Sequence, residues 1–264
     1  MSTFDSSATT AVKARQPLVY TTGDLRTLEF MKGNVQSAMR LSRPHQLVLA
    51  YVRAMMGFAL FVPDPRHILM VGLGGGSMAK FCHRHFPRAR ITVIELREDV
   101  IALREQFCVP PDDARLCVVH GDAAEVIATL ADEVDVLIVD GFDESGIPPA
   151  LGSARFYASC RRALREGGVL VTNIFSYDPN YPAMHKRLRL IFNERLCHFA
   201  GVAGNNRIEF MLKLPFKPDA AREQSRAARL QRWVARRDGV LGGRLNAPLN
   251  RALARLTVLW LSLR

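Results

Sequence analysis

Residues 67–80 read HILMVGLGGGSMAK, and this stretch decides the fold. A short apolar run of the kind that forms a buried strand stops at a glycine cluster, and a segment with helical composition follows. Glycines let the backbone approach a ligand closely, and the free N–H groups at the start of the next helix can bind it. The stretch therefore predicts a strand–loop–helix unit that holds a nucleotide, although a tight turn alone would also need glycine. The loop glycines are Gly72, Gly74, Gly75 and Gly76.

The same order of strand and helix repeats along the chain. Apolar runs begin at residues 67, 90, 115, 134 and 168, and amphipathic segments that predict helices separate them. One of these helices covers 153–165 and is expected to end at Gly167 and Gly168. Two final strands, 196–204 and 207–214, are joined by a short turn, so we expect the last strand to be antiparallel. The pattern predicts an α/β fold with a doubly wound, mostly parallel seven-stranded sheet, the Rossmann-like arrangement of methyltransferases.

The remaining segments are expected to flank this sheet. Residues 1–16 predict a disordered N-terminus, and 17–62 predict a small β-hairpin region followed by a helix over 43–62. The nucleotide-binding catalytic domain is expected over 63–215. A basic amphipathic helical tail is expected over 216–264.

The positive charge of the chain is concentrated in this tail. The net charge is +11, and residues 217–264 hold eleven of the 36 Lys and Arg but three of the 25 Asp and Glu. We expect the tail helix to pack on the protein's own core or on a second subunit in a homodimer. A basic helix lying on an anionic membrane surface is the alternative, whereas nucleic acid is not expected because no base-reading module is present. An apolar stripe at helical spacing is formed by Leu249, Leu253, Leu256, Trp260 and Leu263.

Composition excludes several other classes of protein. No signal peptide and no run of about 18 apolar residues is present, so we expect a cytoplasmic protein that is peripheral to the membrane at most. The five cysteines are scattered and odd in number, which predicts free thiols. His83 and His85 would diverge on a helix, so no metal site is expected.

Acidic residues follow three successive predicted strands. Glu95 ends the second strand, Asp122 follows the third, and Asp140 and Asp143 follow the fourth. Because ligands of open α/β sheets bind at the carboxyl ends of the strands, we expect these side chains to share one pocket. Glu95 suits the two hydroxyls of a ribose and Asp122 the exocyclic amine of adenine. The pocket therefore predicts an S-adenosyl compound, and a dinucleotide is less favoured because the third glycine of G-x-G-x-x-G is missing.

With these positions established, the chain resembles the polyamine aminopropyltransferases, the spermidine and spermine synthases. The similarity runs from about Leu18 to Leu214 and rests on GNVQSAM, GLGGGSM, VIEL, HGDA, VDGFDESGIP and GGVLVTN in that order. The resemblance implies a transferase in which an amine attacks the methylene carbon beside the sulfonium of decarboxylated S-adenosylmethionine. Methylthioadenosine leaves, and no metal is needed. The implied partner is a small-molecule amine or another nucleophilic acceptor.

The resemblance also implies roles for individual residues. Asp140 would receive the proton of the attacking amine, and Asp143 would orient a cationic amine. Tyr51 matches the family's tyrosine ahead of the sheet, while Gln36 and Asn173 match positions that line the family's site. Without the resemblance, Tyr51 would be a packing residue and Asp143 the start of a loop.

Some residues depart from the family's pattern. Gly75 stands where the family carries an aspartate that binds the amine of the aminopropyl chain, so we expect Gly75 to leave neutral space that accepts intact S-adenosylmethionine. Acids that the family keeps around its tyrosine are absent, and Arg53 lies near one of these positions, which disfavours a cationic diamine. Two alternatives therefore stay open: an S-adenosylmethionine-dependent methyltransferase and a non-catalytic relative.

Overall fold

A small antiparallel sheet precedes the main one in the computed structural model, which describes residues 16–143, 146–203, 205–214 and 225–263. Its strands are β1 (Leu18–Thr22), β2 (Leu25–Glu29) and β3 (Val35–Arg40), as the hairpin prediction required. A helix α1 (Ala50–Met55) and a 3-10 helix (Met56–Leu60) follow. Helix α1 begins seven residues later than predicted. Just before the predicted start, Asp24 accepts hydrogen bonds from the backbone and hydroxyl of Ser42, both at 2.8 Å.

The main sheet has seven strands in the order β6-β5-β4-β7-β8-β10-β9. Strand β10 is antiparallel to β8 and β9, and the pairs β4–β5, β5–β6, β4–β7 and β7–β8 are parallel. The predicted doubly wound, mostly parallel sheet with an antiparallel last strand is confirmed. Its strands are β4 (His67–Val71), β5 (Arg90–Glu95), β6 (Leu116–His120), β7 (Val134–Val139), β8 (Leu164–Phe175), β9 (Leu196–Ala203) and β10 (Asn206–Leu212).

Helices cover both faces of this sheet because successive strand residues point to opposite sides. On β4, Ile68 and Met70 pack in the core that includes α1, α2 and α7, whereas Leu69 and Val71 pack in the core that includes α4, α5 and α6. The helices are α2 (Ser77–His85), α3 (Glu98–Ile101), α4 (Ala123–Ile127), α5 (Ala154–Ala163), α6 (Tyr181–Ile191) and α7 (Arg226–Ser262).

The end of α5 differs from the prediction. The helix stops at Ala163 instead of continuing to Gly167, because Leu164 already pairs with Val134 on β7. Gly167 then donates its N–H to the carbonyl of Lys213 at 2.7 Å. A Cβ at Gly168 would lie 3.0 Å from the carbonyl oxygen of Asp135. Gly168 therefore serves close strand packing, whereas Gly167 provides a φ of +82° within the strand, and neither ends a helix.

The long tail helix α7 packs on β9, on α1 and on the 3-10 helix. Its buried residues near the C-terminus are Asn250, Ala254, Thr257 and Leu261, spaced four, three and four apart. The stripe predicted from the sequence lies mostly on another side of the helix: Leu256 is 61% exposed and Leu263 78% exposed. Three of these four inward-facing residues are small or polar, so apolar residues alone do not mark the packed face.

None of the described helices is long and apolar enough to cross a membrane. Residues 1–15, where disorder was predicted, and residues 215–224 at the start of the tail lie outside the described residues. The division into four segments stays a prediction.

Candidate active site

A cavity of about 580 Å³ opens at the carboxyl edge of the main sheet. Its volume lies in the range of small-molecule sites. Strand ends of the main sheet form one side, and β3 and α1 contribute to the other. Of the predicted site residues, those that line the cavity are Gln36, Tyr51, Gly72, Gly74, Glu95, Asp122, Asp140 and Asp143.

Gly72 lets the ends of β4 and β7 approach each other. Its φ is +91°, and a Cβ at this position would lie 2.6 Å from the backbone oxygen of Asp140. The Asp140 N–H donates to the carbonyl of Val71 at 3.0 Å. The glycine loop therefore lies directly beside the backbone of Asp140, the residue for which the sequence predicts a catalytic role.

Gly75 does not leave the open space that was expected. A Cβ built on it would lie 2.7 Å from Cδ1 of Phe107 and 2.7 Å from Oγ of Ser37. Phe107 is buried, and its carbonyl accepts a hydrogen bond from the buried amine of Lys80 at 2.5 Å. Gly75 therefore supplies no carboxylate at this position, and the space next to its Cα is occupied by the side chains of Phe107 and Ser37. Gly76 likewise faces the interior, against Val109.

Glu95 is 8% exposed and is held by two backbone groups. Its Oε2 accepts the N–H of Leu73 at 2.8 Å, and its Oε1 accepts the N–H of Arg97 at 2.9 Å. Since each carboxylate oxygen has two lone pairs, both oxygens can still accept a ribose hydroxyl. Asp122 caps α4 by accepting the N–H of Ala124 at 2.7 Å and keeps an oxygen for a further donor. Their nucleotide contacts stay predictions.

Asp140 receives hydrogen bonds on both oxygens. Asn173 donates its Nδ2 to Oδ1 at 2.9 Å, and Tyr51 donates its hydroxyl to Oδ2 at 3.2 Å. Burial raises the pKa of Asp140 to about 7, against the lowering effect of these two bonds. Burial, together with the Asp140 charge, holds the pKa of Tyr51 well above its usual range, so Tyr51 stays a donor. A carboxyl group with this pKa can accept a proton near neutral pH.

Asp143 and Arg53 have different positions relative to the cavity. Asp143 lies on the rim, where its backbone bridges Gly146. Arg53 is turned back along the chain and donates to the carbonyls of Leu47 at 2.8 Å and Val48 at 2.5 Å. Arg53 does not line the cavity, so the structure does not place it beside the amine site as expected, and its effect on a diamine stays a prediction.

Several lining residues were not predicted. Arg97 places its guanidinium 4.6 Å from the ring centre of Phe30, and both residues line the cavity. Arg97 directly follows the VIEL motif and could have been found there, whereas nothing in the sequence places Phe30 in this pocket. Asn206 on β10 reaches the site indirectly, because its Nδ2 donates to Oδ1 of Asn173 at 2.9 Å. Among the residues that the structure describes, no group of three or more His, Cys, Asp or Glu could hold a metal ion.

The amino-acid sequence matches a known protein family. The model of the spermine/spermidine synthase domain matches residues 48–189. The chain belongs to the spermine/spermidine synthase family. A polyamine aminopropyltransferase from Chromobacterium violaceum is 37% identical over 185 residues, which cover 70% of this chain and 71% of that protein. The predicted kinship and the predicted class of transferase are thereby confirmed.

Solved structures of the family share the fold. A probable spermidine synthase from Corynebacterium glutamicum matches with a TM-score of 0.67, 21% identity and 90% of both chains covered. A spermidine synthase in complex with the transition-state analogue AdoDATO matches with a TM-score of 0.54 and 21% identity, covering 76% of this chain and 74% of that one. The fold is therefore one that holds an adenosyl-type ligand in a family member.

Proposed function

We propose that this chain transfers an aminopropyl group from decarboxylated S-adenosylmethionine to a small aliphatic amine. The observation that carries the proposal is Asp140, a carboxyl group with a pKa of about 7 on the wall of a cavity of nucleoside size. The amine nitrogen forms a bond to the methylene carbon next to sulfur, and the carbon–sulfur bond breaks. Methylthioadenosine leaves with the electron pair, and Asp140 takes the proton of the amine.

The adenosyl part is assigned to the cavity wall at β4, β5 and β6. Glu95 accepts the ribose hydroxyls, and Asp122 accepts the exocyclic amine of adenine. The loop at Gly72 and Gly74 approaches the sulfonium side, with Gln36 opposite. The remaining rate enhancement comes from alignment of the amine with the methylene carbon and from electrostatic interactions with the carboxylates.

The charge of the cavity supports the decarboxylated nucleotide. Among the described residues that line it, four are acidic, Glu95, Asp122, Asp140 and Asp143, and Arg97 is the cation. Decarboxylated S-adenosylmethionine carries a sulfonium and an ammonium, whereas the intact compound adds a carboxylate. At about 4 Å and an effective dielectric near 20, one added repulsion is on the order of 4 kcal/mol before desolvation is subtracted.

Methyl transfer from intact S-adenosylmethionine is the second candidate. It is favoured by Gly75, since no carboxylate stands at that position to bind the amine of an aminopropyl chain. A non-catalytic relative is disfavoured because Tyr51 and Asn173 both hold Asp140 in place.

Two carboxylate variants test the proposal. Wild-type protein mixed with decarboxylated S-adenosylmethionine and an aliphatic diamine should release methylthioadenosine and an aminopropylated amine. Asp140→Asn should lower kcat by about 10²–10⁴-fold because the proton acceptor is lost. Asp143→Asn should mainly raise KM for the amine. Wild-type protein that forms S-adenosylhomocysteine from the intact nucleotide, and nothing from the decarboxylated one, would establish methyl transfer instead.

A homodimer partner and an anionic lipid surface also stay proposals, and both concern the exposed side of α7. Leu256, Leu259 and Leu263 are each more than half exposed there. If the exposed side of α7 binds a second copy, replacing Leu256 and Leu259 with glutamine should convert the dimer to a monomer in sedimentation. If this side binds lipid, the same replacement should abolish flotation of the protein with anionic vesicles. A wild-type monomer that does not float would contradict both.

A further inference from the structure

A chain of side-chain hydrogen bonds leads from β10 to Asp140. Asn206 donates its Nδ2 to Oδ1 of Asn173 at 2.9 Å, and Asn173 donates its Nδ2 to Oδ1 of Asp140 at 2.9 Å. On β8, Asn173 lies opposite Ile208 and Phe175 lies opposite Asn206. Asn206 and Asn173 are therefore diagonal neighbours on one face of the sheet, within reach of each other's side chains.

The direction of these bonds is fixed by Asp140. An ionised carboxylate only accepts hydrogen bonds, so Asn173 must turn its NH₂ group toward Asp140 and its carbonyl toward Asn206. Asn206 must then donate. Asn173 is 3% exposed, so bulk water cannot replace that donor. An amide turned by 180° would place its carbonyl oxygen against the carboxylate.

We propose that Asn206 is a positioning residue for the transfer reaction: it holds the Asn173 amide with its NH₂ group toward Asp140 and so keeps Asp140 ready to accept a proton. The proposal rests on the proposed function, in which Asp140 takes the proton of the amine. Asn206 does not line the cavity and acts through Asn173.

Other ionisable groups face Asp140 from the surrounding elements. Tyr51 on α1 contacts its second oxygen. The same cavity is lined by Glu95 at the end of β5, Arg97 next to it, Asp122 after β6 and Asp143 after β7. All of them are unchanged when Asn206 is replaced, so a change in the titration of Asp140 reports on Asn206.

The decisive variant is Asn206→Asp. A carboxylate at this position competes with Asp140 for the Asn173 NH₂ group. When the amide turns toward the new carboxylate, its oxygen faces Asp140, which can bond to it only when protonated. The lost hydrogen bond and the added negative charge both favour protonated Asp140. We expect its pKa to rise by about one unit, which is about a tenfold change in the protonation equilibrium. Carbon-13 NMR titration of the Asp140 carboxyl in the ligand-free enzyme measures this directly.

Two further variants make the test specific. Asn205→Asp adds the same charge at the neighbouring exposed residue, outside the hydrogen-bond chain, and should leave the titration nearly unchanged. Asn206→Leu removes the donor without adding charge and should raise the pKa of Asp140 by a smaller amount. The KM for the nucleotide should stay at the wild-type value in all three, while the pH profile of kcat/KM follows the titration.

The outcomes separate the inference from the proposed function. An unmoved Asp140 titration in folded Asn206→Asp overturns the inference, and so does an equal shift in Asn205→Asp. If Asn206→Asp fails to fold, an unmoved titration in Asn206→Leu overturns it. The titration needs no turnover, so a wild-type protein that releases no methylthioadenosine refutes the proposed function and leaves the NMR result to decide the role of Asn206.

Discussion

The pKa of Asp140 results from opposing effects on one carboxyl group. Burial at the carboxyl edge of the sheet disfavours its charge, and the donors Asn173 and Tyr51 favour it. The balance leaves the pKa at about 7. A carboxylate with an ordinary pKa would be a much weaker base for an ammonium, and one without donors would be protonated at neutral pH.

The pH dependence of the reaction results from this balance. Protonated Asp140 cannot accept a proton, so kcat/KM should fall more steeply with decreasing pH below pH 7 than above it. Because the amine enters as an ammonium and Asp140 takes its proton, the slope of log kcat/KM against pH should change from about one below pH 7 to about zero above it. Asp140→Asn should remove the change of slope. A wild-type slope that is constant from pH 5 to 9 would contradict the assignment.

Gly75 is expected to resist substitution. A Cβ at this position would meet Phe107 and Ser37 at 2.7 Å, so Gly75→Asp should lower the free energy of unfolding by about 1–3 kcal/mol. In the molecules that still fold, Gly75→Asp should not change the preference between decarboxylated and intact S-adenosylmethionine. Gly75→Ala should show the same steric cost. Gly121→Ala is the control, because its Cβ would meet Val126 at an ordinary 3.7 Å. Urea unfolding of the three variants measures this free energy. If Gly75→Ala unfolds with the same free energy as the wild-type protein, Phe107 and Ser37 can move to accommodate a Cβ, and the steric argument is wrong.

At the scale of single residues, the sequence predicts the features that depend on position along a strand. The acids at the strand ends meet because the carboxyl ends of parallel strands share one edge, and Glu95, Asp122 and Asp140 line one cavity. The surroundings of Gly75 depend on Phe107, 32 residues away. Arg53 folds back on carbonyls that no motif marks. Such contacts arise only when separate segments pack.

At the scale of helices and strands, the periodicity of apolar residues predicts where an element lies, but contacts with other elements decide where it ends. Alternation of apolar runs and amphipathic segments predicts the seven strands of the main sheet and their helices. The end of α5 is decided by the pairing of Leu164 with Val134, which the local sequence does not encode. The face of α7 that packs was also not predictable from apolar residues alone, since Asn250, Ala254 and Thr257 turn inward.

A matched pair of leucines tests the packing of α7. Leu261 is fully buried and Leu256 is 61% exposed on the same helix. Leu261→Ala should lower the free energy of unfolding by about 2–4 kcal/mol because it leaves a cavity. Leu256→Ala should change it by less than about 0.5 kcal/mol. Equal losses in chemical denaturation would mean that the predicted stripe packs inward instead.

At the scale of the whole molecule, the site is assembled across segments that lie far apart in the chain. The part that matches the family model, 48–189, supplies the glycine loop and the acidic residues that line the cavity. Gln36 on β3 and Phe30, directly after β2, lie ahead of this part of the chain, and Asn206 on β10 lies after it. The N-terminal segment therefore contributes to the cavity wall, and β10 supplies a hydrogen-bond donor to the amide that contacts Asp140.

The central claim is that this assembled site performs aminopropyl transfer. One reaction tests it most directly: the protein with equal concentrations of decarboxylated and intact S-adenosylmethionine and an aliphatic diamine, followed by mass spectrometry of the nucleoside products. The account predicts methylthioadenosine in at least about tenfold excess, since a preference of about 1.4 kcal/mol suffices for that ratio. S-adenosylhomocysteine as the main product, accompanied by a methylated amine, would contradict it.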